Sequence, residues 1–251
     1  MEVRALTTGR VRPKQAERGV RRYLDGDWSD RTLPVNVFVV QHADGLGLFD
    51  AGQTAQAAEP GYFPAWYPFF RLARFELRPE DEAAPQLSAL GLEPEDVRWV
   101  VLSHLHTDHV GGLAPFAKAD VVVARGEWQR ASGLGGRLRG YLPQRWPKGL
   151  EPRLVDFDGP PLGPFPATHD LAGDGSLLLV PTPGHTPTHV GLVVRDESTT
   201  YLLAGDLAHN PAELPAAAPE VAAWCEAERV IVLTTHDDQA PSLLERQPAP
   251  S

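Results

Sequence analysis

The chain has 251 residues, 42 % of them hydrophobic, which is enough apolar material to bury a substantial core in one large domain. Its 23 Lys and Arg stand against 33 Asp and Glu, and the net charge of −10 argues against nucleic acid or an anionic membrane as partner, since both demand clustered cations. Cys225 is the sole cysteine, which excludes an internal disulfide, and no apolar stretch reaches the ~18 residues of a membrane span.

In chain order, Met1-Glu2-Val3-Arg4-Ala5 lacks the apolar core of a signal peptide, so a cytoplasmic location is expected. Residues 1–30 read as an irregular N-terminal arm on a single domain spanning 1–251. Short β-branched runs predict strands at 35–40 and 46–49. Residues 61–70 hold six aromatics and read as a hydrophobic plug, an apolar wall for a substrate tail, or the contact of a homodimer. A helix is predicted over 79–90, with Pro79 at its start, Glu80, Asp81 and Glu82 in its first turn and Gly91 as its stop.

Strands follow at 99–102, 121–124, 176–180, 190–194, 201–203 and 230–233, with helices at 125–132 and 217–226. Cys225 lies in the last of these helices, in an apolar run that reads as core. The Gly-, Arg- and Pro-rich stretch 131–152 and the Pro-rich stretch 159–168 read as loops beside the site or on the surface. Paired strands precede the first long helix, so simple βαβ alternation is not expected. The order predicts an α/β (α+β) fold of mixed sheets with outer helices.

One stretch decides the chemistry. His104-Leu105-His106-Thr107-Asp108-His109 puts three imidazoles and a carboxylate directly after the strand at 99–102, and Gly111-Gly112 marks a tight turn behind it. Neutral imidazole nitrogen and carboxylate oxygen are ligands for divalent transition metals, zinc above all. A site with two metals needs about seven or eight ligand positions. Three further polar residues cap later strands: His185 after 176–180, Asp206 after 201–203 and His236 after 230–233. Burying a polar group at a strand end costs free energy unless a partner or a metal satisfies it.

With these motifs in view, the chain resembles the metallo-β-lactamase superfamily from about residue 35 to 237. Its N-acyl-homoserine lactone lactonases are the branch most like it. The resemblance is carried by His42-Ala43-Asp44-Gly45-Leu46-Gly47-Leu48-Phe49-Asp50-Ala51-Gly52, the histidine motif, Pro183-Gly184-His185-Thr186-Pro187-Thr188-His189 and Leu203-Ala204-Gly205-Asp206. It implies a four-layer αβ/βα sandwich with the site at one edge of two facing sheets. It also implies that His104, His106 and His185 hold one divalent ion, Asp108, His109 and His236 a second, and that Asp206 bridges them. Zinc is expected, with manganese, iron or cobalt able to occupy the same ligands. Asp50 stands where the superfamily has an Asp that orients a ligand imidazole through its other nitrogen.

The expected reaction is hydrolysis of a lactone or ester in a small molecule with an apolar tail, by attack of a metal-bound hydroxide. Asp108 is the candidate for handling the proton. The lactonases carry a Tyr three residues after the bridging Asp; here that position is His209, an imidazole able to donate a hydrogen bond or a proton. His42 and His169 read as structural or surface residues, and His189 as a support behind the ligands. Other esters, thioesters or phosphoesters are alternative substrates, and a non-catalytic metal-dependent binding module is the alternative of a different class.

Overall fold

The computed structural model describes residues 1–14, 27–64, 73–116, 118–137 and 139–245. Most of the aromatic segment, residues 65–70, lies outside them, as do 15–26 of the expected arm.

Two sheets face each other. The first has strand order β4-β1-β2-β3-β5-β6-β7, formed by β1 (Glu2–Pro13), β2 (Leu33–His42), β3 (Gly45–Phe49), β4 (Ala73–Glu76), β5 (Val97–Leu102), β6 (Asp120–Ala124) and β7 (Arg153–Val155). It is antiparallel from β4 to β3 and parallel from β3 to β7. The second has order β12-β11-β10-β9-β8, from β8 (His169–Asp170), β9 (Leu177–Pro181), β10 (Val190–Arg195), β11 (Thr200–Gly205) and β12 (Ile231–Thr234), with only β11 and β12 parallel.

The strands read as continuous apolar runs because both faces of each sheet are covered. Side chains alternate across the pleat. Val37 and Val39 of β2, with Val100 and Leu102 of β5, pack outward against Leu87 of helix α1 (Ala83–Ala89). Phe38, Val40, Phe49 and Val101 point the other way and meet Leu177, Leu179, Leu192 and Leu203 of the second sheet. The far face of that sheet buries Leu178, Val193 and Leu202 with Leu214 and Cys225. Those two residues come from helices we number α5 (Leu214–Ala217) and α6 (Pro219–Ala227); α2 (Thr107–Val110), α3 (Arg125–Ala131) and α4 (Gly133–Arg137) precede them and α7 (Ala240–Glu245) follows. The result is the expected αβ/βα sandwich. Each fully buried Leu or Phe contributes about 1.5–3 kcal/mol by leaving water.

The N-terminal residues correct an expectation. Residues 2–13 are not an irregular arm but β1, paired to β2 on one side and β4 on the other. Their apolar positions follow no clean period because the pairing register shifts between Thr7 and Arg10, so the strand is imposed by its neighbours. The helix predicted over 79–90 is divided into a 3-10 turn, Pro79–Asp81, and α1. Glu82 separates them in extended conformation, its Oε1 accepting from the Thr54 hydroxyl and the Ala55 N–H. No helix among the described residues is long and apolar enough to cross a membrane.

Candidate metal centre

The carboxyl ends of β5, β11 and β12 and the loop between β9 and β10 converge at one edge of the sandwich. His104 and His106 follow the end of β5, His106 in extended backbone. The one-turn helix α2 then begins at Thr107 and brings Asp108 Oδ1 to 4.0 Å from His109 Nε2. Gly111 and Gly112 allow this turn to seat against the loop after β3. A Cβ on Gly111 would lie 2.5 Å from the Thr107 carbonyl oxygen, and one on Gly112 would lie 2.3 Å from that of Ala51. The same loop accepts and donates backbone hydrogen bonds, Ala51 N–H to His109 O and Gly112 N–H to Gly52 O.

Three groups of donor atoms result. His104, His106 and His185 form the first and Asp108, His109 and His236 the second; His104, His109 and Asp206 make a third set that links these two. In the first, His104 Nε2 lies 3.0 Å from His106 Nδ1, which lies 2.9 Å from His185 Nε2. Tetrahedral zinc with Zn–N bonds of 2.0–2.1 Å needs donors about 3.3–3.4 Å apart, so a few tenths of an ångström separate these rings from ligation. Asp206 faces both groups. Its Oδ1 is 3.3 Å from His109 Nε2 and 3.5 Å from His236 Nε2, and its Oδ2 is 3.6 Å from His185 Nε2. Asp108 lies at the periphery, 3.9 Å from His236 Nε2.

The donor set fits metal ions. Although close, His109 Nε2 and Asp206 Oδ1 are buried without a directed hydrogen bond among the described residues. Buried polar atoms are seldom left so, and both belong to groups able to ligate. The opposite ring nitrogens are engaged: His109 Nδ1 lies 2.7 Å from Asp50 Oδ2, and His236 Nδ1 donates to Pro34 O at 2.7 Å. Asp50 also accepts from the Ser103 N–H and hydroxyl, at 2.8 and 2.9 Å. It is held in left-handed backbone at φ 65°, a region Asp tolerates better than most residues. The structure thus brings together all seven expected ligands and sets Asp50 behind one of them.

The electrostatics divide the imidazoles. Burial, with the neighbouring imidazoles, holds His104 well below its ordinary value and His106 at about 4, so both are neutral. Burial opposes charge on His109 and His236 too. Around His109 the carboxylates of Asp206, Asp50 and Asp108 outweigh it and hold that group well above the ordinary range; around His236, Asp206 and Asp108 raise it to about 9. In return, His109 and His236 overcome the burial of Asp206 and hold its carboxyl well below the usual carboxylate range.

His209 lies at the rim, its side chain 63 % exposed, with Nδ1 3.0 Å from Glu213 Oε2 and its ring 6.1 Å from that of His236. His189 is fully buried. Its Nε2 accepts from the Asp206 N–H at 3.1 Å and its Nδ1 lies 2.7 Å from Thr182 Oγ1, so it supports the backbone of a ligand; burial lowers it to about 3. His42 is a half-buried hairpin residue beside Ser176, and His169 sits in β8, both outside the site. Two supporting residues escaped the reading of the sequence, Ser103 and Glu127. The first directly precedes the histidine motif; nothing local marks the second.

The described end of the aromatic segment, residues 61–64, approaches the same edge. Tyr62 is buried with Leu142 and Ala57, near Thr107, which precedes Asp108. Arg145 from the 131–152 stretch donates to the carbonyls of Gly61 and Tyr62 and lies over the Tyr62 ring. That stretch is partly ordered as α4 and the turn Pro143–Arg145.

Residues 30–244 match the family model described as the metallo-beta-lactamase superfamily, and the chain belongs to that superfamily. It is a metal-dependent hydrolase of that class. Among curated proteins it is similar to the N-acyl homoserine lactonase AttM of Rhizobium radiobacter, 32 % identical over 74 % of this chain and 69 % of that protein. Among solved structures it superposes on an N-acyl homoserine lactone hydrolase with the product N-hexanoyl-L-homoserine at its catalytic metal centre. The TM-score is 0.71 at 19 % identity, covering 96 % of this chain and 95 % of the other. It also superposes on AidC, described as a dizinc quorum-quenching lactonase, with TM-score 0.60 at 16 % identity over 93 % and 86 % of the two chains. At those identities the superpositions show the fold.

Proposed function

We propose that the protein opens the ring of N-acyl homoserine lactones or closely related lactones, using two divalent ions, zinc by preference, held by His104, His106 and His185 and by Asp108, His109 and His236, with Asp206 shared. The single observation that carries the reading is the convergence of five imidazoles and two carboxylates on two donor groups that Asp206 faces together. Two such ions, when bound, lower the pKa of water toward neutrality and polarise a carbonyl oxygen.

The chain's own residues supply the rest. Asp50 and the Pro34 carbonyl fix the tautomers of His109 and His236, so that each turns Nε2 inward. Asp108 is more accessible than Asp206, with side chains 15 % and 8 % exposed, and takes the proton that must reach the leaving alkoxide. Phe63 and Phe75, half-buried against the Tyr62 cluster, offer apolar surface for an acyl tail. The test is hydrolysis by metal-analysed protein of homoserine lactones of graded acyl length beside aryl esters, phosphotriesters and β-lactams. Turnover confined to β-lactams or phosphotriesters would overturn the substrate assignment.

His209 holds the position of the lactonase Tyr. Glu213 accepts its Nδ1–H, so Nε2 donates at the substrate only when the imidazole carries both protons. His209→Ala is expected to lower kcat by about 10²-fold if the imidazole is the general acid, and by less if it only donates a hydrogen bond. Metal content should not change. Full activity on every substrate turned over would make His209 a bystander.

A further inference from the structure

Glu127 is the deepest carboxylate of the α3 layer, 1 % exposed, and takes no part in the donor groups. Its helix follows β6, so its side chain reaches the site from behind the first group. Oε1 accepts from the Leu105 N–H at 3.1 Å, between the ligands His104 and His106. Oε2 accepts from the Thr186 hydroxyl at 3.0 Å and from the Thr188 hydroxyl, both just past the ligand His185. Tyr141, buried near the same carboxylate, lays its ring 5.0 Å from that of His106.

The two loops tied by this carboxylate are separated by some eighty residues of chain; a backbone hydrogen bond from Val190 N–H to Ser103 O joins their strand ends, and Glu127 ties them farther out, at the ligands themselves. A loop free to move by an ångström would not hold three imidazole nitrogens about 3 Å apart, whereas a buried carboxylate with each oxygen committed to a different loop does. Burying a carboxylate is costly, and here every partner is a donor, which offsets that cost. We infer that Glu127 is a positioning residue that joins the His104–His106 loop to the His185 loop and so sets the affinity of the first metal group. The inference rests on the proposed two-ion centre and concerns only one half of it.

The test uses whole protein stripped of metal and titrated with Co2+, following the ligand-field absorption and the metal bound per chain. Wild type is expected to bind two equivalents. Glu127→Ala should bind one as tightly as wild type and the other about 10–100-fold more weakly, the range typical of lost support behind a metal ligand. Glu127→Gln should recover most of the loss, because its amide oxygen accepts from Leu105 while its NH2 donates to the threonine hydroxyls. Should Glu127→Ala not fold, Thr186→Val with Thr188→Val removes one side of the tether and should weaken the same single equivalent. Unchanged binding of both equivalents, or equal weakening of both with a matching fall in the Tm of the metal-free protein, would overturn the inference. A wild type that binds no metal would instead overturn the two-ion reading itself.

Discussion

Replacing Asp206 by alanine is expected to weaken both metal groups and to lower kcat/KM by about 10³-fold or more. Its carboxylate lies within 3.6 Å of imidazole nitrogens of both groups, with one oxygen toward His109 and His236 and the other toward His185. Its loss also leaves His109 and His236 without the carboxylate that most offsets their burial. His236→Ala should behave differently, retaining one ion because the first group contains neither His236 nor its neighbours. Metal per chain by mass spectrometry, alongside steady-state kinetics, separates the two variants. Retention of both ions in Asp206→Ala, or loss of both in His236→Ala, would refute the shared-ligand arrangement.

Removal of metal by a chelator is expected to abolish activity, and reloading to depend on pH with a definite sign. His109 and His236 are protonated at neutral pH in the metal-free chain, the latter up to about pH 9. A metal must displace those protons, so affinity at the second group rises with pH and falls about tenfold per displaced proton for each unit below the raised value. His104 stays neutral, as does His106 down to about pH 4, so these two ligands set no such competition at the first group. Lowering the pH from about 8 to 6 at constant free metal should therefore empty the second group first. Proton release on loading, measured in buffers of different ionisation enthalpy, checks the sign. Simultaneous loss of both ions, or loading without proton release, would contradict it.

Much of this was legible in the residues alone. The histidine motif is local: six consecutive positions at a strand end carry four donors, and the turn into α2 needs only the glycines behind it. The strands of both sheets announced themselves because each is apolar on two faces, as Val37 and Val39 against Phe38 and Val40 show. His185, Asp206 and His236 stood out as polar caps on apolar runs, a pattern that demands an explanation wherever burial is costly.

What only the tertiary structure decided depends on distances between residues remote in the chain. β1 forms because β2 and β4 bond to it, not because residues 2–13 carry a strand period. That Asp206 meets both donor groups, that His189 holds its backbone N–H, and that Glu127 ties Leu105 to Thr186 are contacts of a few ångströms with no trace in local composition. His209 makes the same point: its position in the chain marks a candidate acid, while its pairing with Glu213 and its place beside His236 come from how the segment after β11 packs against the end of β12. Periodicity reports which face of an element is buried. Which side chains then share a hydrogen bond or a metal is set by the register and packing of elements far apart in sequence.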